Sequence, residues 1–315
     1  MQKGNKNGII FSGINNSDSL ASSMAAADCR QPPPYFEEQD IQTMGTQSSN
    51  TVPSNCNVYN TQILRTGIDS LYLSFQGQLS EESSIRLTEL KRLAQSDSPE
   101  RESLAQIQLA EHLFKVNERG SKLFSYVIQN HLYRISIAKL GAKRAPLAYV
   151  QISSELLTKC SLDKIILELS KMISLLGRID EQPAISRVDL CADFVTDYHL
   201  FDIEDGDWVT RADAIQNHSY KRVYTGTSIG AGGDISARLY NKTVEMQKKP
   251  RVYLEELHQD LGWDGIRHVW RLEFQFKRDA LRELNIQFIS ELKSALAGLW
   301  QYATFKWLRH TVPNY

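Results

Sequence analysis

The sequence predicts an α+β fold with a mostly antiparallel β-sheet, flanking helices and a disordered N-terminal tail. Segments in which apolar and polar residues alternate, the pattern of half-buried strands, recur from residue 61 onward. Helical segments with apolar residues three and four positions apart lie among them, without the regular strand–helix–strand order of a parallel sheet. We therefore expect one ordered domain over residues 61–315, with 61–180 and 181–315 as candidate subdomains.

Residues 1–60 are predicted to form the tail, because they are rich in Ser, Asn, Gln, Thr and Pro and show no hydrophobic periodicity. Such a segment does not bury enough apolar surface to offset the entropy that folding costs. The alternative is that Tyr35 and Phe36 form a short docking motif within it.

The ordered part begins with a strand that ends at Gly77, and Ser98-Pro99 separates the two helices that follow it. The clearest helix begins after Ser161, which suits an N-cap, and its apolar residues form one stripe that is expected to be core. The predicted strands lie at 67–75, 124–129, 132–138, 146–153, 185–195, 221–226, 235–241 and 268–277, and the predicted helices at 80–95, 100–115, 161–176 and 284–310.

The composition excludes several protein classes. With 42% hydrophobic and 9% aromatic residues, the chain is not fully disordered, collagen-like or a coiled coil. No apolar run is long enough for a membrane span and no secretory signal is visible, so a cytoplasmic protein with no membrane partner is expected. The net charge of −1 is an average, because residues 221–315 carry 15 basic and 10 acidic side chains, a net charge of +5.

The four cysteines do not predict a metal site. None of Cys29, Cys56, Cys160 and Cys191 belongs to a Cys-x-x-Cys pair, so a zinc site is not expected. Reduced thiols in a cytosolic protein are the simplest interpretation.

Charged side chains share one face of the predicted strand over 185–195. Because side chains alternate along a strand, one face carries Val188, Leu190, Ala192 and Phe194, and the other Arg187, Asp189, Cys191 and Asp193. Two carboxylates on one face must be paired or bound to a cation. The strand therefore either faces solvent, with Arg187 paired to Asp189, or contributes to a divalent-metal site.

Two further strands carry the same kind of polar face. Arg271, Glu273 and Gln275 lie opposite an apolar face, and Glu273 would extend the acidic cluster if both strands share a sheet. The third strand places Arg238 and Tyr240 on one face, with Lys242 and Glu245 directly after it. A tyrosine beside two cations has what a phosphoryl-transfer nucleophile needs, although strand tyrosines are more often amphipathic core residues.

The glycine-rich segment over 224–233 comes before that third strand. It lacks the Gly-Lys-Ser/Thr ending of a P-loop, so a hairpin turn is favoured over a phosphate cradle.

Three blocks in this order resemble the replication initiation factor family, which are rolling-circle Rep proteins of the staphylococcal plasmid type with relatives in phages and integrative conjugative elements. The blocks are Arg187–Phe194, Arg238–Glu245 and Trp270–Asp279, and Tyr224-Thr225-Gly226 is also similar. The likeness covers roughly residues 65–310 and is strongest over 185–280. No single block is specific, and their order with a central Tyr-Asn-Lys carries the resemblance.

The resemblance implies a catalytic core that acts as a metal-dependent, site-specific single-strand DNA endonuclease and strand transferase at a replication origin. Tyr240 would be the nucleophile that forms a 5′-phosphotyrosine link and leaves a free 3′-OH. Asp189 and Glu273 would bind Mg²⁺ or Mn²⁺, with Asp193 as a third match. The implied DNA-binding residues are Arg187, Arg238, Lys242, Arg271 and Lys277. Glu245 matches the family's acidic position and would have a supporting role, orienting Lys242 or the metal.

The partners that the resemblance implies are origin DNA with a hairpin or single-stranded nick site, a host helicase and a second copy of the chain. The N-terminal tail has no counterpart in the likeness, and no His-x-His motif occurs. Three alternatives stay open: a relaxase of an integrative conjugative element with the same site, a non-catalytic DNA-binding regulator with this fold, and an unrelated α+β enzyme whose acidic strands bind a metal.

Overall fold

The computed structural model of the chain describes residues 8–9 and 60–311. The strands are β1 (Gly8–Ile9), β2 (Thr61–Phe75), β3 (Gly77–Leu79), β4 (Gln106–Leu109), β5 (His112–Val116), β6 (Tyr126–Gln129), β7 (Tyr133–Ile137), β8 (Ala148–Ile152), β9 (Gly177–Ile179), β10 (Ala184–Thr196), β11 (Trp208–Thr210), β12 (Ile215–Tyr220), β13 (Val223–Ile229), β14 (Ile235–Asn241), β15 (Trp270–Lys277) and β16 (Leu308–Thr311). The α-helices are α1 (Glu81–Ala94), α2 (Pro99–Ser103), α3 (Ser154–Lys159), α4 (Leu162–Ser174), α5 (Lys242–Lys248), α6 (Val252–Asp260), α7 (Arg278–Glu283) and α8 (Ile289–Gln301), and a π-helical segment follows at Tyr302–Trp307.

One sheet of eleven strands organises these elements, in the order β12-β13-β14-β15-β10-β2-β8-β7-β6-β5-β4. Its pairings are all antiparallel, which confirms the predicted α+β fold class. The long strand β2 pairs with β8 on one side and with β10 on the other. The sheet therefore runs without a break across the proposed subdomain boundary near residue 180.

The apolar face of the central strands forms the core. Leu190 of β10 lies opposite Phe274 of β15, and the same face continues through the neighbouring register pairs. Trp300 of α8 and Trp307 of the π-helical segment contact Phe274 edge-on, with ring centroids 5.6 and 6.3 Å apart. α8 and the segment after it therefore cover this face and leave the polar side chains on the opposite one. The predicted apolar stripe of α4 is also core, since Ile165, Leu169, Met172 and Ile173 are fully buried.

The predicted helix over 100–115 is wrong. Only Pro99–Ser103 is helical, and β4 and β5 form a hairpin over the rest, with Ala110 in the left-handed region at the turn. Buried and exposed residues alternate here with a period of two, which is the pattern of a strand: Ile107 and Leu109 are buried, whereas Gln106 and Gln108 are exposed.

The predicted helix over 284–310 is correct only in its middle. Asn285 adopts a left-handed conformation with φ of 59°, which ends α7, and α8 begins at Ile289. The chain then passes through a π-helical segment into β16. The other predicted strands and helices match the structure to within a few residues, apart from the first strand, which begins at Thr61.

Most of the predicted tail over residues 1–60 lies outside the described residues. The described part of the tail consists of β1 and Asn60. β1 pairs with β16, and β16 also pairs with β11, in a separate sheet of three strands. Over the described part of the chain, the structure contains no helix with the length and apolar character needed to cross a membrane.

Candidate active site

The polar faces of β14, β15 and β10 meet on the side of the sheet opposite the core. In the register of these strands, Arg238 lies beside Glu273, Tyr240 beside Arg271, and Asp193 also beside Arg271. The three segments singled out in the sequence are therefore neighbouring strands, as the acidic-cluster hypothesis requires. Adjacent antiparallel strands place opposed side chains close enough to bond, so the spacing of the blocks along the chain becomes contact in space.

Tyr240 stands at the centre of this face. Its half-buried hydroxyl donates to Oε2 of Glu273 at 3.2 Å. The ammonium of Lys242 lies 5.5 Å from the centre of its ring. Burial raises the pKa of Tyr240 well above its usual range; Arg271 opposes this shift and Glu273 adds to it. At neutral pH the phenol is therefore protonated and has a carboxylate placed to accept its proton.

Glu273 and Asp189 are a pair of buried carboxylates on neighbouring strands, 3% and 1% exposed. Each is held by an arginine, since Arg238 bonds Glu273, and Arg187 Nε donates to Asp189 Oδ1 at 2.7 Å. Burial, with a smaller contribution from the nearby Glu273, raises the pKa of Asp189 to about 6 against the opposing bond from Arg187. Arg187 pairs with Asp189, as one of the two sequence-based interpretations expected, but that interpretation is wrong in placing the strand face toward solvent, because Asp189, Cys191 and Asp193 are buried.

Asp193, the third acidic residue of the set, is enclosed in a different network. Arg271 binds both of its oxygens, with Nη2 to Oδ2 at 2.7 Å, and the buried imidazole of His258 contacts Oδ2 through Nε2 at 2.8 Å. Burial alone would raise the pKa of Asp193, but Arg271 holds it well below its usual range. Both oxygens of Asp193 are hydrogen-bonded and the residue has no exposed surface, so Asp193 is the buried counter-ion of Arg271 in this structure.

Two residues of β2 that the sequence analysis did not single out belong to this network. Asp69 accepts from Arg271 and from Ser154 Oγ of α3, at 2.5 and 2.8 Å. Arg65 lies 3.7 Å from Asp69 and donates to the sulfur of Cys191. Burial opposes the ionisation of Asp69, but Arg271, then Arg65, lower its pKa to about 2. Asp69 was the one charged residue of the predicted strand over 67–75, and this was the available signal; Arg65 lies before the predicted start of that strand.

His258 was also missed, because nothing in its neighbourhood in the sequence connects it to Asp193, which lies 65 positions away. It reaches the site because α6 packs its fully buried ring there. A histidine pattern read along the chain carries no information about such a contact.

The predicted DNA-binding cations divide into two groups. Arg238 and Arg187 reach the surface, with side chains 51% and 27% exposed, and the partly exposed Lys277 donates to the carbonyl of Gly232 at 2.8 Å. Lys242 and Arg271 are buried at 3% and 1% exposure. Lys242 bonds Glu245, which is the first of the two roles that the resemblance implies for Glu245, and Arg271 is the counter-ion of Asp193.

The glycine-rich segment forms the β13–β14 hairpin, as predicted, and it also shapes the site. Gly226 pairs with Tyr240 across the hairpin and has a φ of +153°. A Cβ at Gly226 would lie 2.3 Å from the carbonyl oxygen of Leu239 and 2.8 Å from Cβ of Tyr240. The absence of a side chain at Gly226 therefore allows the backbone of the tyrosine strand to lie where it does.

The site offers two candidate metal ligands. Asp189 and Glu273 fit a hard cation, because both carboxylates are buried on neighbouring strands and the charge of Glu273 adds to the raised pKa of Asp189, which a positive ion would offset. Mg²⁺ commonly takes one or two carboxylates. Their present partners are two arginines with exposed surface. No group of three or more His, Cys, Asp or Glu residues suited to a metal occurs within the described ranges. Cys160 and Cys191 form no disulfide within those ranges.

Comparison with known proteins adds no family assignment: no family model matches the chain, and no curated protein matches it.

Proposed function

We propose that this protein initiates rolling-circle replication as a metal-dependent, site-specific single-strand DNA endonuclease and strand transferase. The observation that carries the proposal is the hydrogen bond of 3.2 Å from the Tyr240 hydroxyl to Glu273, on a strand next to that of Asp189. A tyrosine nucleophile, a proton acceptor and a second carboxylate on one sheet face form the set that phosphodiester transfer needs. The resemblance of three sequence blocks of this chain to replication initiation factors supports the same function.

In the proposed reaction the phenolic oxygen of Tyr240 attacks a phosphodiester phosphorus while Glu273 takes the phenolic proton. A phosphorus–oxygen bond to tyrosine forms, and the bond to the 3′ oxygen of the preceding nucleotide breaks. That oxygen leaves as a 3′-OH after gaining a proton, and the phosphate remains 5′-linked to Tyr240. Because one phosphodiester replaces another, strand joining is the same reaction in reverse and requires no ATP.

Charge on the transferred phosphate is balanced by residues of this chain in the proposal. Arg238 has exposed surface beside Glu273 and can turn toward phosphate, with Arg187 in the same position beside Asp189. A bound Mg²⁺ or Mn²⁺ on Asp189 and Glu273 would polarise the scissile phosphate. Release of the two arginines from their carboxylates would provide both the cation site and two phosphate contacts.

The test is nicking of a supercoiled plasmid that carries the DNA flanking the gene of this protein, with Mg²⁺ or Mn²⁺. Wild type should convert it to the open circle, and Tyr240→Phe should not. Tyr224→Phe is the matched control, because Tyr224 is a half-buried tyrosine on the adjacent strand whose hydroxyl contacts Thr227 at 2.5 Å. Equal nicking by Tyr240→Phe would contradict the nucleophile assignment. Sequence-specific binding without nicking in either metal would favour a DNA-binding regulator.

A further inference from the structure

Three aromatic rings lie on the same side of the sheet as Tyr240, farther along it. Tyr72 of β2 and Tyr149 of β8 have centroids 5.9 Å apart, and Phe124, just before β6, lies 6.0 Å from Tyr149 in a stacked arrangement. All three residues are half-buried, so each keeps some exposed surface. We call Tyr72, Tyr149 and Phe124 the aromatic strip.

Cations line the strip where it approaches the site. The guanidinium of Arg187, which also binds Asp189, lies 4.8 Å from the centre of the Tyr72 ring. The charges that act on Tyr149 include Arg187 and Arg278, and Arg278 is half-buried on α7 with a bond to Ser186 at 2.6 Å. Exposed rings next to arginines are the combination with which proteins hold unpaired bases and their phosphates.

The strip begins beside the Arg187–Asp189 end of the candidate active site. Tyr72 pairs with Arg187, which lies six residues along β10 from Asp193, and Asp193 aligns through Arg271 with Tyr240. Tyr72 is therefore about 20 Å along the strands and about 14 Å across them from Tyr240. The ring spacings of 5.9 and 6.0 Å exceed the 3.4 Å rise of stacked duplex bases. Bases placed on successive rings would therefore be drawn apart, which an extended single strand permits and a duplex does not.

We propose that the aromatic strip is a binding track for single-stranded DNA, in which bases stack on Tyr72, Tyr149 and Phe124 and Arg187 and Arg278 contact phosphates. The proposal rests on the proposed nicking function for its role, which is to hold the strand next to the scissile phosphate. Stacking on rings is tolerant of sequence, so the track would grip the strand and leave origin selection to other contacts.

The experiment measures binding of a fluorescein-labelled twelve-residue oligo-dT to the full chain by fluorescence anisotropy. All proteins carry Tyr240→Phe to prevent cleavage. Tyr72→Ala and Tyr149→Ala are each expected to weaken binding about tenfold, and their combination about a hundredfold. The conservative variants Tyr72→Phe and Tyr149→Phe should bind as the parent does, because they keep the rings. Phe305→Ala removes a ring that is 39% exposed on the segment covering the opposite face and should have no effect.

A second measurement does not depend on the folding of any variant. Oligo-dT containing 5-iododeoxyuridine is cross-linked by light to the Tyr240→Phe protein, and the attached peptides are identified by mass spectrometry. Attachment at Tyr72, Tyr149 or Phe124 supports the track. Attachment only elsewhere, or alanine variants that keep the parent melting temperature and bind oligo-dT as tightly, overturns it. Equal loss of affinity for duplex and single strand also overturns it.

Failure of this inference and failure of the proposed function give different results. Normal plasmid nicking by wild type, together with strip variants that bind and nick like it, rejects the track and leaves the function intact. Absence of nicking by wild type, together with lost oligo-dT binding in the strip variants, rejects the function and supports a single-strand binding surface.

Discussion

Replacement of Arg271 by methionine tests the electrostatic organisation of the site at its most buried point. Arg271 is 1% exposed and, within the described part of the chain, is the residue that binds both Asp193 and Asp69, through three nitrogen–oxygen bonds of 2.5 to 2.7 Å. In Arg271→Met, Asp193 keeps its contact with His258, and Asp69 keeps Ser154 and the more distant Arg65. Methionine fills a similar volume, so the change removes charge and hydrogen bonds more than packing.

The magnitude follows from the burial of the two carboxylates. Removal of one partner of a buried ion pair lowers the free energy of unfolding by about 3–5 kcal/mol, and loss of the partner of two carboxylates places Arg271→Met near the upper end. For a domain of this size that corresponds to a fall in melting temperature of about 10–15 °C. Arg134→Met is the control, because Arg134 is exposed on β7 and bonds only Gln129 among the contacts found for its side chain. Its effect should stay within about 0.5 kcal/mol.

Urea unfolding followed by circular dichroism measures both variants. The difference between wild type and Arg271→Met should shrink as the pH falls toward the ordinary aspartate pKa. In wild type the pKa of Asp193 lies below its pKa in the unfolded chain. The stabilisation that its ionised carboxylate provides is therefore complete above the unfolded pKa and is lost as the pH falls below it. In the variant a buried carboxylate without Arg271 gains from protonation instead. A loss below about 1 kcal/mol at neutral pH, equal to that of Arg134→Met, would refute this account of the network.

Three further predictions concern single residues. The rate of nicking should rise with pH through about 6, because the pKa of Asp189 is raised to about 6 and only its ionised form can bind a metal. A flat pH profile of this rate between about pH 5 and pH 8, or full activity of Asp189→Asn, would contradict this. Gly226→Ala should lower the free energy of unfolding by about 1–3 kcal/mol and reduce nicking, since the new Cβ meets backbone at 2.3 Å and displaces Tyr240; an unchanged melting temperature would argue against it. Burial lowers the pKa of His310 to about 4, below its pKa in the unfolded chain. The unfolded chain therefore takes up a proton at His310 before the folded protein does, so the free energy of unfolding should fall by roughly 3 kcal/mol between pH 6.5 and pH 4. Urea unfolding at several pH values should show a smaller loss for His310→Gln than for wild type, and equal curves would reject this interpretation.

The strand blocks and their faces could be predicted from the sequence, because a period of two decides which side chains share a face. Tyr240, Asp189 and Glu273 were each placed on the polar face of their own strand in this way. The register of β14, β15 and β10 shows that these strands are neighbours, which the period of two alone does not reveal. The helix predicted over 100–115 shows the limit of such patterns, since a short apolar run there suits either period.

The ion-pair partners could not be predicted. Asp193 and Asp189 lie on the same strand face, four residues apart, yet one is enclosed by Arg271 and the other by Arg187. This difference arises from strand order and from the helices above the sheet, with α6 placing His258 on Asp193. Which acid remains near the surface arginines is therefore a property of tertiary packing, and a local pattern in the sequence does not contain it.

The most direct test of the central claim is identification of the residue that becomes covalently attached to DNA. A single-stranded oligonucleotide that contains the nick site, labelled on the 3′ side, is incubated with wild type and Mg²⁺, and the denatured protein is digested and analysed by mass spectrometry. We predict one modified peptide with a 5′-phosphonucleotide on Tyr240, and none from Tyr240→Phe. Cleaved DNA with no attached protein, or attachment to a residue other than Tyr240, would contradict the proposed mechanism.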